Sequence, residues 1–209
     1  IAAKIMIGED LKETLKNYKI KELTNFNVKE SVFPFNKFDG VDLILGPEMK
    51  STGEVMGIDD TFLSSYIKSQ IACGNILPSN GNVFISIDDD NKKSIISIAK
   101  KLKKMKFNLV ATKGTAKFLN DNNVNTKQIN KVKEGSPHIV DSLTKNKIDL
   151  VINTTKSQSS IKDSYSIRRT SLMYNIPYYT TIAGAKIAVD AIQHMEKNDF
   201  KIKSLQSIN

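Results

Sequence analysis

From Val83 onward, short apolar runs alternate with longer segments whose apolar residues recur every three or four positions. The runs predict β-strands at 83–87, 108–112, 149–153 and 178–182, with a further short strand within 124–132. The longer segments predict helices at 91–106, 114–119, 137–145, 161–174 and 184–196. Alternating strands and helices are typical of a parallel sheet with helices packed on it, so this part is predicted to be an α/β domain.

Two of the predicted helices carry additional signals. The helix at 91–106 repeats apolar residues on one stripe, which predicts a face buried against the sheet; the stripe consists of Ile95, Ile98, Ala99, Leu102 and Met105. The helix at 137–145 follows Ser136 and Pro137, a pattern that predicts an N-cap serine and a proline at the first helical position.

The residues before Val83 are less regular. They predict a strand at 27–35 and a helix at 61–72. The segment Cys73 to Asn82 (CGNILPSNGN) then concentrates glycine, proline and asparagine, which is typical of a loop. We interpret this loop as a boundary between two units, residues 1–74 and 75–209.

The chain has 31 basic and 22 acidic residues among 209, giving a formal net charge of +9. Apart from Arg168 and Arg169 the basic residues are lysines, and they are spread along nearly every segment. The densest lysine run, 100–106, falls at the predicted C-terminal end of a helix, where cations are favourable and face water. We therefore expect no nucleic-acid partner.

Cysteine and histidine are too rare for a structural metal site, since the chain has one cysteine and two histidines. A lone Cys73 is typical of a reducing compartment and predicts a cytoplasmic protein. No apolar stretch is long enough to cross a membrane, and no export signal begins the chain. Because Ile1 lies within a continuing segment, we expect the sequence to be part of a longer polypeptide.

Polar residues follow the predicted strands at their carboxyl ends, where ligands bind in open α/β sheets. Ser86 ends the first strand, Thr112 and Thr115 flank the second strand's turn, and Asn153 and Thr155 end the third. The turn Thr112-Lys113-Gly114-Thr115 offers two hydroxyls and a helix N-terminus to an anion, and Lys92 and Lys131 add positive charge. The same residue types are equally expected if this tetrapeptide only forms a turn and caps the next helix, without binding an anion.

No catalytic motif accompanies these residues. The sequence contains no phosphate-binding Walker run, no dinucleotide fingerprint and no nucleophile elbow. His138 is interpreted as a hydrogen-bonded structural residue rather than as a base. The residues by themselves predict an anion-binding α/β domain and no reaction.

Six long strings resemble the C-terminal end of the large subunit of carbamoyl phosphate synthetases. They are VKESVFPFNKFDGVDLILGPEMKSTGEVMG (28–57), ATKGTA (111–116), NKVKEGSPHI (130–139), INTT (152–155), SIRRTSLMYNIPYYTT (166–181) and the closing helix. The resemblance covers nearly the whole chain without an obvious insertion.

The resemblance implies a role for each unit. Residues 1–74 would be the α+β end of the second ATP-grasp unit, and residues 75–209 a Rossmann-like regulatory domain with the methylglyoxal-synthase-like fold. Enzymes of this family make carbamoyl phosphate from bicarbonate, glutamine-derived ammonia and two ATP, for pyrimidine and arginine synthesis. ATP, with Mg²⁺ or Mn²⁺, would act in parts of the enzyme outside this chain, which is expected to be non-catalytic and free of cofactors by itself. A small glutaminase subunit and self-association of the holoenzyme are implied.

The resemblance also implies two effector sites. A nucleotide pocket for UMP or IMP falls on Ser86, Lys92, Thr112, Thr115, Lys131, Asn153 and Thr155. Half of an ornithine site falls on Glu30, Leu45, Tyr178 and Thr180. Lys133, Ser136 and Tyr179 depart from the best-known enterobacterial pattern, which leaves the identity of the effectors open.

Two other functions fit part of the sequence. A free-standing methylglyoxal synthase would share the fold, but its G-G-D turn is replaced by Glu134-Gly135-Ser136-Pro137-His138 and residues 1–74 would be unexplained. A basic nucleic-acid-binding module rests on net charge alone.

Overall fold

The computed structural model describes residues 1–16, 18, 24–33, 35, 53–155, 161–162, 164–198, 202 and 204. The first part contains α1 (Ala2–Met6), α2 (Leu11–Lys16), β1 (Phe26–Val32), β2 (Gly53–Asp59) and α3 (Phe62–Ala72). The second part continues with β3 (Asn82–Ser86), α4 (Lys92–Lys104), β4 (Asn108–Ala111), α5 (Lys113–Asp121), β5 (Lys127–Gln128), α6 (Ile139–Thr144), β6 (Leu150–Asn153), α7 (Tyr165–Met173), β7 (Tyr178–Tyr179) and α8 (Ile182–Met195).

The described residues form a parallel sheet and a separate hairpin. The sheet has the strand order β5-β4-β3-β6-β7, and every neighbouring pair in it is parallel. Val83 at the centre faces Leu109 on one side and Leu150 on the other. β1 and β2 pair antiparallel over their full lengths. The predicted α/β class with a parallel sheet is confirmed.

The period-2 alternation of strand side chains divides the core between the two faces of the sheet. Ile85 and Ile152 lie on the face covered by α4, α5 and α8, within the larger apolar cluster. Phe84 and Val151 lie on the opposite face with residues of α6 and α7. All five residues of the predicted apolar stripe on α4 are buried: Ile95, Ile98, Ala99, Leu102 and Met105. The strands are therefore apolar on both faces, as expected for a covered parallel sheet.

Helix α3 packs against both the hairpin and the α/β domain. Thr61 caps the helix by accepting a hydrogen bond from the Ser64 amide at 3.2 Å. The Ser65 hydroxyl donates to the Phe26 carbonyl at 2.8 Å, which fixes the helix on β1. The Ser64 hydroxyl lies 2.9 Å from His194 Nε2 on α8. The predicted boundary near residue 74 falls in the loop after α3, and the division into two units stays a prediction.

The predicted start of α6 is wrong. The helix begins at Ile139, and its N-cap is His138 rather than Ser136. The Asp141 carboxylate accepts hydrogen bonds from the His138 amide at 2.9 Å and the Ser136 hydroxyl at 2.7 Å. These bonds lower the pKa of Asp141, with the His138 amide as the largest cause. His138 Nδ1 accepts from the Asp141 amide at 3.4 Å, so this histidine has the predicted structural role.

The short strand predicted within 124–132 is confirmed, and the strand predicted at 178–182 is shorter in the structure. The segment 124–132 contributes only Lys127 and Gln128 to the sheet. The segment 178–182 contributes only Tyr178 and Tyr179, because Thr181 already caps α8 by accepting from the Gly184 amide at 3.1 Å. Both are edge strands, where few ladder hydrogen bonds hold the chain extended.

Gly57 is required where α3 crosses β2. A Cβ atom at this position would lie 1.9 Å from the Ser65 carbonyl oxygen, so α3 must move away to admit it. We expect Gly57→Ala to lower the free energy of unfolding by about 1–3 kcal/mol in urea denaturation, the usual cost of overpacking. Gly53→Ala is the matched control, because a Cβ atom there meets nothing within 4 Å. Equal stability of the two variants would contradict the described packing of α3.

Candidate functional site

A cavity of about 150 Å³ opens at the carboxyl ends of β3, β4 and β6. We call it the carboxyl-end cavity. Five of the predicted nucleotide residues line it: Ser86, Thr112, Lys131, Asn153 and Thr155. Its other lining residues are Ile87, Asp88, Val132, Lys133, Thr154, Ser164 and Ile167. Parallel pairing brings Ser86, Thr112 and Asn153 together, because the three strands end at one edge of the sheet.

Three hydroxyl groups meet beside the N-terminus of α5. Thr112 Oγ1 lies 3.5 Å from Ser86 Oγ and 3.4 Å from Thr115 Oγ1. Thr115 is buried, and its hydroxyl accepts from the Ile87 amide at 3.2 Å. Thr115 therefore contacts Thr112 through its hydroxyl group but does not itself line the cavity.

The N-terminus of α5 is open to an anion. Thr112 is the N-cap residue, but its side chain makes no capping hydrogen bond to the helix. A Cβ atom on Gly114 would meet nothing within 4 Å, so the first turn is uncrowded. Unpaired amides and the positive end of the helix dipole both attract negative charge, which makes this turn a suitable phosphate contact.

The lysines contribute unequally to the carboxyl-end cavity. Lys131 and Lys133 line it. Lys131 is exposed, and its ammonium makes no ion pair with any residue that the structure describes. Lys92 does not line the cavity: its Nζ pairs with Asp89 Oδ1 at 2.5 Å and lies 6.0 Å from the centre of the Phe118 ring. Lys92 is therefore close in sequence to residues that line the cavity, but its ammonium group is paired with Asp89 outside it.

Asn153 and Thr154 are held by neighbouring elements. Asn153 is 1% exposed, and its Nδ2 donates to the Tyr178 hydroxyl at 2.7 Å. The Thr154 hydroxyl donates to Asp88 Oδ2 at 2.5 Å, and Asn91 donates to the same carboxylate. Partial burial by itself raises the pKa of Asp88, but the hydrogen bonds from Thr154 and Asn91 outweigh it and lower the pKa below its ordinary value. Asp88 is therefore ionised at neutral pH.

The seven residues assigned to the nucleotide pocket do not include Asp88, Lys133, Thr154 and Ser164, all of which line the cavity. Three of them carried a usable signal, because Asp88, Lys133 and Thr154 are polar residues that follow predicted strands. Ser164 had none, because it precedes α7 and reaches the cavity only through packing.

A second cavity, of about 300 Å³, lies between the first part of the chain and the α/β domain. We call it the junction cavity. Glu30 and Tyr178 of the predicted ornithine half-site line it, together with Tyr66, Gln70 and Tyr179. Thr180 is exposed beyond β7 and is not among the lining residues. Leu45 lies outside the described residues.

Glu30 supplies a carboxylate to the junction cavity. It accepts hydrogen bonds from the Ser69 hydroxyl at 3.0 Å and from Gln70 Nε2. The Tyr66 and Tyr179 hydroxyls lie 3.3 Å apart, and burial raises the pKa of both phenols. Neutral phenols and one carboxylate suit a positively charged amine better than an anion.

Tyr178 connects the two cavities. Its side chain lines the junction cavity, and its hydroxyl accepts the hydrogen bond from Asn153, which lines the carboxyl-end cavity. β7 is the edge strand that carries Tyr178 alongside β6, with Tyr178 paired to Val151. Tyr178 therefore lines one candidate site and is hydrogen-bonded to a residue that lines the other.

Neither a metal site nor a membrane helix is found in the described residues. No group of three or more histidine, cysteine, aspartate or glutamate side chains there is arranged to hold a metal ion. No helix in the part of the chain that the structure describes is long and apolar enough to cross a membrane.

A family model described as "MGS-like domain" matches residues 94–180. The carbamoyl phosphate synthase large chain of Myxococcus xanthus (strain DK1622) is 48% identical over 206 residues, which is 99% of this chain and 19% of that protein. The chain belongs to the family of the carbamoyl phosphate synthase large chain. Two relatives named "Carbamoyl phosphate synthase large chain, C-terminal section" are each 42% identical over 100% of this chain: those of Aquifex aeolicus (strain VF5) and Methanopyrus kandleri (strain AV19).

The chain spans about a fifth of the length of the full large chains and about two fifths of the C-terminal sections. Among solved structures, the methylglyoxal synthase from Elizabethkingia anophelis NUHP1 matches with a TM-score of 0.42 and 20% identity, over 54% of this chain and 79% of that one. Together with the sheet described above, the MGS-like match defines the second part of the chain as an MGS-like α/β domain.

The Asn153–Tyr178 hydrogen bond makes a testable contribution to the site. Tyr178→Phe leaves the buried Asn153 amide without this acceptor, which costs about 1–3 kcal/mol. We expect the melting temperature to fall by about 2–4 °C for each kcal/mol. Tyr174→Phe is the control, because Tyr174 is exposed at the end of α7 and lines neither cavity. A melting temperature equal to that of the control would mean that Asn153 is not held by Tyr178.

Proposed function

We propose that this chain is the regulatory C-terminal part of a carbamoyl phosphate synthase large chain and that its carboxyl-end cavity binds a mononucleotide effector. UMP and IMP are the candidates. The observation that carries this proposal is the convergence of Ser86, Thr112, Lys131, Asn153 and Thr155 on one cavity beside the uncapped N-terminus of α5.

The chemistry of the cavity supports a phosphate group at one end and a polar nucleoside at the other. The α5 amides, the Thr112 hydroxyl and the Lys131 ammonium are donors suited to phosphate oxygens. Asn153 and Thr155 offer polar groups to a sugar or base. The cavity volume of about 150 Å³ is below the roughly 300 Å³ of complete ligand pockets, so the nucleoside would extend beyond it.

The activity of the whole protein belongs to the same proposal. The complete enzyme would make carbamoyl phosphate from bicarbonate, glutamine-derived ammonia and two ATP, for pyrimidine and arginine synthesis in the cytoplasm. ATP and Mg²⁺ or Mn²⁺ would be bound by parts of the large chain outside this sequence, and a small glutaminase subunit would supply the ammonia. Residues 1–74 would be the end of the second ATP-grasp unit, and this chain alone would be non-catalytic.

The junction cavity is proposed to be half of an ornithine site. Its Glu30 carboxylate and neutral phenols suit an alkyl amine, and its position next to α3 would let a bound amine act on both parts of the chain. The half-site would include Tyr178, with Thr180 and Leu45 contributing in the complete enzyme. Tyr179 fills part of this cavity with a phenol, which leaves less room and less negative charge than an acidic residue there would.

Replacement of Thr112 or Lys131 tests the nucleotide pocket. Each alanine variant removes one or two charge-assisted hydrogen bonds, worth about 1.5–3 kcal/mol, so we expect UMP or IMP to bind about 10- to 150-fold more weakly by isothermal titration calorimetry. Lys117→Ala is the control, because Lys117 is exposed on α5 and does not line the cavity.

Four outcomes decide the proposal. Weaker binding in both site variants with unchanged binding in the control supports it. Unchanged affinity in both variants would mean that the nucleotide binds outside the carboxyl-end cavity. If neither UMP nor IMP binds, the proposal of nucleotide control is overturned for this chain. Conversion of dihydroxyacetone phosphate to methylglyoxal would instead favour a methylglyoxal synthase.

Glu30→Gln in the complete large chain tests the amine site. The substitution removes the negative charge and keeps the shape, so activation by ornithine is expected to fall while inhibition by UMP is kept. Glu54→Gln is the matched control, since Glu54 is an exposed partner of Lys29 on the same hairpin. Loss of both effector responses in Glu30→Gln would contradict the assignment of two separate sites.

A further inference from the structure

A groove of about 580 Å³ starts at the amino ends of the parallel strands, opposite the carboxyl-end cavity. We call it the amino-end groove. It is lined by Asn82, Lys103, Asn108, Leu109, Val110, Asn125, Lys127, Gln128, Ile129, Asn130, Pro137, Ser142, Lys147 and Ile148. None of these residues lines the carboxyl-end cavity, so the groove is a separate feature of the domain.

The groove exists because one face of the sheet is incompletely covered. α6 has only six residues and packs with α7 over the centre of this face, around Phe84 and Val151. Val110 on β4 and Ile129 after β5 are therefore only partly buried, although both pack against this core. They leave a strip of apolar surface at the base of the groove.

The polar walls of the groove are positively charged. Lys103, Lys127 and Lys147 line it, and none of its described lining residues is acidic. None of the three lysines makes an ion pair with the residues included in the structure. The groove therefore concentrates three uncompensated ammonium groups around an apolar base.

Unused amide groups add hydrogen-bonding capacity. The side-chain amides of Asn108, Asn125 and Gln128 make no hydrogen bond within the described ranges of the chain. Asn82 and Asn130 are different, since they donate to the carbonyls of Lys147 at 2.9 Å and Gly135 at 3.2 Å. Free amide donors next to lysines are suited to the oxygens of an anion.

We propose that the amino-end groove is a second ligand site, which binds a small amphipathic anion with a flat apolar body and a phosphate, sulfonate or carboxylate group. The apolar body would lie on Val110 and Ile129, and the anionic group would meet the lysines and free amides. The volume lies within the range of small-molecule pockets, about 300–1,000 Å³. This site does not depend on nucleotide binding at the carboxyl-end cavity.

The test uses the 209-residue chain and 1-naphthyl phosphate, an aromatic ring that carries one phosphate group. Binding is followed by the fluorescence of the naphthyl ring. The site variant is Lys127→Glu with Lys147→Glu. Its matched control is Lys104→Glu with Lys117→Glu, which makes the same change of net charge at exposed lysines that line neither the groove nor the carboxyl-end cavity. Thr112→Ala reports binding at the carboxyl-end cavity.

Saturable binding of the probe to the unmodified chain is expected. The dissociation constant of the probe is expected to rise at least tenfold in the site variant. It is expected to change less than twofold in the control pair and in Thr112→Ala. An equal loss in both charge-reversal pairs would overturn the proposal in favour of general attraction to a basic protein. Loss confined to Thr112→Ala would assign the probe to the carboxyl-end cavity.

Two further outcomes also overturn the proposal. One is an absence of saturable binding, and the other is binding of a hexaglutamate peptide without binding of the probe, which would make the groove a contact for an acidic protein segment. Circular dichroism melting checks that each variant folds. If the double variant does not fold, Lys127→Gln and Lys147→Gln replace it, each with an expected loss of about threefold.

Discussion

The parallel pairing of β3 with β4 on one side and with β6 on the other is the constraint on which the candidate site depends. It brings three strand ends to one edge of the sheet, although they are separated by 26 and 41 residues of chain between Ser86, Thr112 and Asn153. The apolar residues of both sheet faces hold this pairing in place. Ser86, Thr112 and Asn153 take their positions in the carboxyl-end cavity from that core.

The carboxyl-end cavity is lined by neutral hydroxyl and amide groups as well as by charged side chains. Thr112, Asn153 and Thr154 form hydrogen bonds with neighbouring elements, and Lys131 makes no ion pair with the residues that the structure describes. Asp88 places a negative charge in the same lining, where it fastens Thr154 and the turn after β3. Under the proposed function, repulsion by this carboxylate would direct a dianionic phosphate toward α5.

Helix α3 gives the first part of the chain its contact with the α/β domain. Ser64 meets His194 on α8, and Tyr66 meets Tyr179 next to the junction cavity. Glu30 reaches the same region from β1 through Ser69 and Gln70 of α3. The junction cavity is thus bounded by hydrogen-bonded side chains from both parts, and Tyr178 extends this contact to Asn153.

The amino-acid sequence by itself determined the class of the fold and the strand ends that carry polar residues. Apolar periodicity is a local property, so the α4 stripe and the strands at β3, β4 and β6 were predictable to within one or two residues. Only the tertiary structure decided where the short edge strands end and which side chains line each cavity. It added Ser164 to the carboxyl-end cavity, kept Lys92 out of that cavity and left Thr180 outside the junction cavity. These outcomes depend on which side chains meet in space, and the spacing of residues along the chain does not contain that information.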